Sequence, residues 1–143
     1  MSDITDNQEL MDIFYEETQA HIAEMRKGVS TLGEEYVPTI LHRLNLCAHN
    51  LKSSSGVVGF YELSKLSSAL EKIFKKAKVE RIALNADDIS LLSHSIEVCQ
   101  KLLNGEKVVG YKELLSQLNK FTHLWGGKKM ADKPIKVLLI EDS

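Results

Sequence analysis

Residues 60–79, FYELSKLSSALEKIFKKAKV, decide the fold. Leu63, Leu66, Leu70, Ile73 and Ala77 recur at alternating steps of three and four residues. That spacing stacks them on one face of an α-helix and suits a seam between packed helices, whereas a strand would alternate every second residue. Immediately upstream, Gly59 closes a second stretch that opens at Val37-Pro38, with proline at the first helical position. Leu41, Leu44, Ala48, Leu51, Ser55 and Val58 fall on one face of it. The same reading extends outward in both directions. Leu10, Phe14, Ile22, Met25, Val29 and Leu32 predict a first helix over 7–32, capped by Asp6 and ended by Gly33. Ile89, Leu92, Ile96, Cys99 and Leu103 predict a fourth over 86–104, with Asn85 as its cap and Asp87 and Asp88 favourable in its first turn. Leu114, Leu118, Phe121 and Trp125 predict a fifth over 110–125. With the second at 38–58 and the third at 60–79, short connections imply antiparallel neighbours. The expectation is an all-α, up-and-down antiparallel four-helix bundle with an additional fifth helix.

Composition narrows the function. The chain has 143 residues, 43% hydrophobic and 27% charged, as expected for about one globular domain. Eighteen basic and twenty acidic side chains leave a formal charge of −2, so no positive field exists to hold nucleic acid or an anionic membrane. The longest apolar runs, such as Val137–Ile140, fall far short of the ~20 residues of a bilayer span, and MSDITDNQEL resembles no signal peptide. Cys47 and Cys99 lack metal or redox spacing and read as packing residues. A reducing cytoplasm is the expected setting.

The last eighteen residues have another character. GGKKMADKP has linker composition, and IKVLLIEDS is a buried-strand pattern ending in two acids. A lone strand is not stable by itself. The expected division is therefore a bundle at 1–125, a linker at 126–134 and, at 135–143, the first-strand stub of a second domain.

Within the bundle, helix 38–58 carries polar groups that packing does not require. At about 100° per residue, His49 falls about 140° from Leu44 and points outward. His42, Asn45, Leu46, Ser53 and Gly56 share that outer face, so side chains one and two turns after the imidazole are small and leave it open. Lys52, one turn beyond His49, is placed to reach an anion attached to the ring, and Ser53, Ser54 and Ser55 offer donors. Leu46, apolar and one turn before His49, could seed a docking surface.

From Ala48 to Gly59 the chain reads AHNLKSSSGVVG. This resembles the signature of histidine-containing phosphotransfer (HPt) domains, H-x-L-K-G-x-(A or S) followed by a further glycine, with His49, Leu51, Lys52, Ser55 and Gly59 matching. FYEETQAHIAEM, residues 14–25, is similar to the family's first helix, and the resemblance spans about 8–125. Glu71 falls where the version of this domain in chemotaxis kinases keeps a glutamate beside the phosphorylated histidine. Two departures stand out: Ser53 replaces the usual glycine, and Ser68 stands where those kinases commonly have a second histidine.

The resemblance implies reversible phosphorylation of His49, with phosphate passing to or from the aspartate of a response-regulator receiver domain and a histidine kinase upstream. Glu71 would accept Nδ1–H and leave Nε2 free, and Lys52 would offset charge on the phosphoryl group. Asn45, Leu46, Ser53, Gly56 and Gly59 would form the docking surface. No phosphate-binding loop or kinase catalytic loop is present, so the implied role is a relay intermediate rather than an ATP-using enzyme, with no bound cofactor and with Mg²⁺ on the partner receiver. KVLLIEDS resembles the opening strand of a receiver, in which Glu141 and Asp142 take the places of the Mg²⁺-binding acids. Those two acids would form a site only in a complete receiver domain.

Other readings share these residues. The domain could be the kinase-substrate segment of a chemotaxis-like histidine kinase, a bundle that docks receivers without chemistry, or a dimerising sensor-kinase hairpin. Five short-looped helices can close a bundle within one chain, which favours a monomer. His21, His42, His94 and His123 lack the E-x-x-H spacing of di-iron bundles, and no metal site is expected in the bundle. Lys72, Lys75, Lys76, Lys78 and Arg81 crowd the end of the third helix, where they favour the helix dipole and solubility.

Overall fold

The computed structural model describes residues 2–124, with side chains for 7–121. Five helices follow one another: α1 Ser2–Leu32, α2 Pro38–Val58, α3 Tyr61–Val79, α4 Ala86–Leu103 and α5 Tyr111–Leu124. Each of α1 to α4 packs on two of the others in the cycle α1–α2–α3–α4, and α5 lies against α3. Neighbours run antiparallel: Asn45 of α2 meets Glu71 of α3, whereas the later Lys52 meets the earlier Ser64. Arg26 and Gln19 of α1 likewise meet Glu97 and Gln100 of α4 in opposite order. The expected bundle is observed.

The apolar stripes form the core. Ile22, Met25, Val29, Leu41, Leu51, Leu66, Leu70, Ile73, Leu92, Ile96 and Cys99 are fully buried. Helix α3 buries more than its five-residue seam, because Ser67, Ala69 and Phe74 are also covered where it faces α2, α4 and α5. Gly28 allows close approach of α1 to α2: a Cβ there would stand 2.8 Å from Leu44 Cδ2.

Helix ends follow local chemistry. Asn85 accepts from the Asp88 N–H and Asp88 accepts from the Asn85 N–H, a reciprocal capping box that opens α4 as expected. Gly59 closes α2 at φ 91°, with its N–H donating to Gly56 O and that of Phe60 to Ser55 O. This pair of bonds is the Schellman arrangement, which needs a left-handed residue at the turn.

Two expectations about α1 are corrected. Asp6 does not cap it; the helix begins at Ser2, since the upstream residues contain no proline or glycine to stop it. Leu10 is not part of the buried stripe but 61% exposed, as is Ile13 at 50%. Packing starts with the half-buried Met11 and is complete at Phe14, whose ring meets Phe60 of the α2–α3 turn at 5.1 Å. The third, fourth and fifth helices each start or stop within a residue of the expected limits. Trp125, the 126–134 linker, the 135–143 strand, Glu141, Asp142 and the His123 side chain lie outside the described residues.

Candidate functional site

Asn45, His49 and Lys52 rise from successive turns of α2, and Glu71 faces them from the middle of α3. The Glu71 carboxylate joins both neighbours. Its Oε2 lies 2.8 Å from His49 Nδ1 and its Oε1 lies 2.9 Å from Lys52 Nζ. The imidazole remains half open, with 51% of its side chain exposed, whereas Glu71 is 18% exposed. One nitrogen of the ring is thus occupied, and Nε2 is available for chemistry.

Burial is the largest influence on the Glu71 carboxyl and opposes its ionisation. Hydrogen bonds from Lys52 and His49, together with their charges, outweigh it and hold the carboxyl below its ordinary value. Glu71 is therefore a carboxylate at neutral pH, able to accept Nδ1–H and fix the ring tautomer that leaves Nε2 with its lone pair. In this arrangement Lys52 is bound to Glu71 rather than waiting over open surface. Its ammonium thus shares one carboxylate with the imidazole.

Around this trio the expected surface residues separate into braces and exposed groups. Asn45 is half-buried, and its Nδ2 donates to the Glu71 carbonyl at 3.1 Å, which ties α2 to α3 beneath the site. Ser64 Oγ donates to Lys52 O at 2.8 Å on the other side. Leu46 is 46% exposed one turn before His49. Ser53 is exposed one turn after it and also borders a groove between α1 and α2 with Glu17, His21 and Asn50. Gly56 is half-buried, and a Cβ there would lie 3.5 Å from Ser64 Oγ, so it faces α3 as well as solvent. Gly59 lies about 15 Å along the axis from His49 and serves to end α2.

The three serines after Lys52 do not form a donor set. Ser54 Oγ donates back to the carbonyls of Asn50 and Leu51, and Ser55 is buried in the core. A serine within a helix commonly bonds its own preceding turn, and that preference wins here. Among the other described histidines, His42 receives Lys78 Nζ on Nδ1 at 3.0 Å and faces a cation, not a carboxylate. The braces Asn45 and Ser64 were not legible as such from the sequence, since their partners lie 26 and 12 positions away.

The sequence profile of one family, described as Hpt domain, matches residues 9–120. Among curated proteins, the chemotaxis protein CheA of Borreliella burgdorferi is 26% identical over 99 residues, 68% of this chain and 12% of that protein. CheA of Rhizobium meliloti is 22% identical over 103 residues, 71% of this chain and 14% of that protein. The chain thus spans about one eighth of the length of these relatives. Among solved structures, the phosphorylated P1 domain of CheA3 from R. sphaeroides, crystallised in complex with CheY6, superposes with a TM-score of 0.71 at 13% identity. The superposition covers 82% of this chain and 98% of that one.

Proposed function

The chain belongs to the Hpt domain family, and from that premise we propose that it is a phosphorelay module whose His49 takes a phosphoryl group from, or gives one to, the aspartate of a receiver domain. The observation that carries the reading is the His49–Glu71 contact at 2.8 Å on an otherwise open imidazole. In the forward step the Nε2 lone pair attacks phosphorus, the N–P bond forms and the P–O bond to the receiver aspartate breaks. The ring gains positive charge as this happens, and the Glu71 carboxylate, already on Nδ1–H, stabilises it. Lys52, one turn away, moves part of its charge from Glu71 toward the phosphoryl oxygens. The reverse step returns the group to the aspartate by the same path.

We place the Mg²⁺ requirement in the receiver's acidic pocket, because the Glu71 carboxylate beside His49 is already engaged by Lys52. Leu46 and Ser53, the exposed groups one turn to either side of His49, form the rim against which a receiver docks. A kinase supplies the phosphate, since the sequence carries no phosphate-binding loop of its own for ATP.

A second reading is favoured by the relatives: both curated matches are CheA proteins, and the solved neighbour is a P1 domain of CheA3. The chain would then be the segment on which a chemotaxis-like kinase deposits phosphate from ATP before transfer to a receiver. His49 has the same role in both.

The test is transfer of labelled phosphate. A receiver charged with labelled phosphate in the presence of Mg²⁺ should pass acid-labile, base-stable label to the wild-type chain and none to His49→Gln. Receivers that label a control phosphotransfer domain but not this chain would leave only a docking role. Labelling by an isolated CheA-type ATP-binding domain, without any receiver, would support the second reading.

A further inference from the structure

On the opposite flank of α2, the structure gathers three groups of a different kind. His21 and Glu24 lie one turn apart on α1, on the same helical face, and Cys47 faces them from α2. One ligand atom from each residue comes within 4.8 Å of the other two. Cys47 Sγ is 3.3 Å from Glu24 Oε1, and the thiol donates to the carboxylate. The other carboxylate oxygen, Oε2, faces Arg43 Nε at 3.8 Å, which turns Oε1 toward the thiol.

We propose that His21, Glu24 and Cys47 form a binding site for a borderline-soft divalent cation of the Zn²⁺ class, clipping α1 to α2. The donor set decides the class. Thiolate and imidazole select Zn²⁺ and its neighbours over Mg²⁺ and Ca²⁺, which prefer oxygen. The geometry is near what such an ion needs: tetrahedral Zn²⁺ with bonds of about 2.0–2.3 Å sets its ligand atoms about 3.3–3.8 Å apart. Closing the cluster to those separations takes side-chain movements on the order of 1 Å. Glu24 is exposed and His21 half-buried, so both can move, while Cys47 is held in the core at 4% exposure and serves as the fixed point.

Three protein ligands leave a fourth position for water. In the free protein the thiol carries its proton and donates it in the hydrogen bond to Glu24 Oε1. Binding exchanges ions: bonds form to Cys47 Sγ, Glu24 Oε1 and one ring nitrogen of His21, all but one of the cation's waters leave, and the Cys47 proton goes to solvent. No oxidation state changes. Cys47 and His49 project about 200° apart on α2, so the cation lies away from the phosphotransfer face.

Titration of the intact chain with Co²⁺, which replaces Zn²⁺ and reports thiolate ligation by near-ultraviolet charge-transfer absorption, tests the assignment. Wild type should develop the band, lose it on addition of Zn²⁺, and keep it in His49→Gln. Cys47→Ser should abolish it. His21→Gln and Glu24→Gln, which alter partly exposed side chains and leave the core intact, should each weaken Co²⁺ binding at least tenfold. Absence of the band in wild type at saturating Co²⁺ would overturn the proposal. So would a band with unchanged affinity in both His21→Gln and Glu24→Gln, or one lost in His49→Gln.

Discussion

Glu71 Oε2 lies 2.8 Å from His49 Nδ1, a contact between two helices that joins positions 22 residues apart. It gives the imidazole a fixed orientation while leaving half of the ring in solvent. Replacing Glu71 should therefore act on transfer more than on folding. Glu71→Ala is expected to slow phosphotransfer by about tenfold to a hundredfold, the range typical of removing a partner that orients a histidine. Glu71→Gln, whose amide oxygen still accepts Nδ1–H, should lose less. Rates of label transfer measured beside thermal melts separate the two effects.

The same carboxylate makes stability pH-dependent. Its folded-state value lies below the ordinary 4.5, so its contribution is fully present above 4.5 and is lost as pH falls through the lower folded value. Glu97, held down first by its hydrogen bond from Arg26, acts in the same direction. Denaturant melts from pH 6 down to about 3 should show wild type losing stability more steeply than Glu71→Gln, which has no proton to take up there. Parallel profiles for the two proteins would contradict this.

Two helix ends that share a left-handed residue should respond in opposite ways. Gly59 has φ 91° and open space for 4 Å around the point where a Cβ would stand, so Gly59→Ala adds backbone strain alone and should cost about 1–2 kcal/mol. Arg81 takes φ 55° at the end of α3, where Ile82 N–H donates to Ala77 O. Arg81→Gly relieves that strain and should stabilise by up to about 1 kcal/mol. Chemical denaturation reads both.

Asn85→Ala removes one half of the capping box that opens α4. Caps of this kind contribute about 1 kcal/mol, and because Asp88 is 1% exposed the loss should fall toward the upper part of the range, about 2 kcal/mol. Transfer from a receiver should be unchanged, because this cap stands at the α3–α4 connection and touches none of His49, Lys52 or Glu71.

Much of this molecule was legible in its sequence because periodicity and capping are local. The three-four spacing of Leu63 to Ala77, the Pro38 start, the Gly59 stop and the Asn85 cap all lie within one or two turns of the feature they determine. The start of α1 departs from expectation for the same reason: Asp6 suits a cap, but no breaker precedes it, and the helix continues to Ser2. Leu10 keeps its helical phase yet finds nothing to pack on, which no single-helix pattern reveals. At the site, His49 and Lys52 could be placed on one face of one helix, and Glu71 entered through family resemblance. Their meeting depends on the register of α2 against α3, which Asn45 and Ser64 hold by bonds across the pair. The grouping of His21 and Glu24 with Cys47 likewise depends on two helices and escapes any search for spacing within one.

The proposed relay rests on His49 carrying the phosphoryl group on Nε2 because Glu71 holds Nδ1. Nuclear magnetic resonance of the phosphorylated chain, with ¹⁵N-labelled histidine and ³¹P detection, distinguishes the two ring positions and the individual histidines. The expected result is a single phosphohistidine, at His49, with phosphorus coupled to Nε2. Phosphorus on His42, or on Nδ1 of His49, would contradict it.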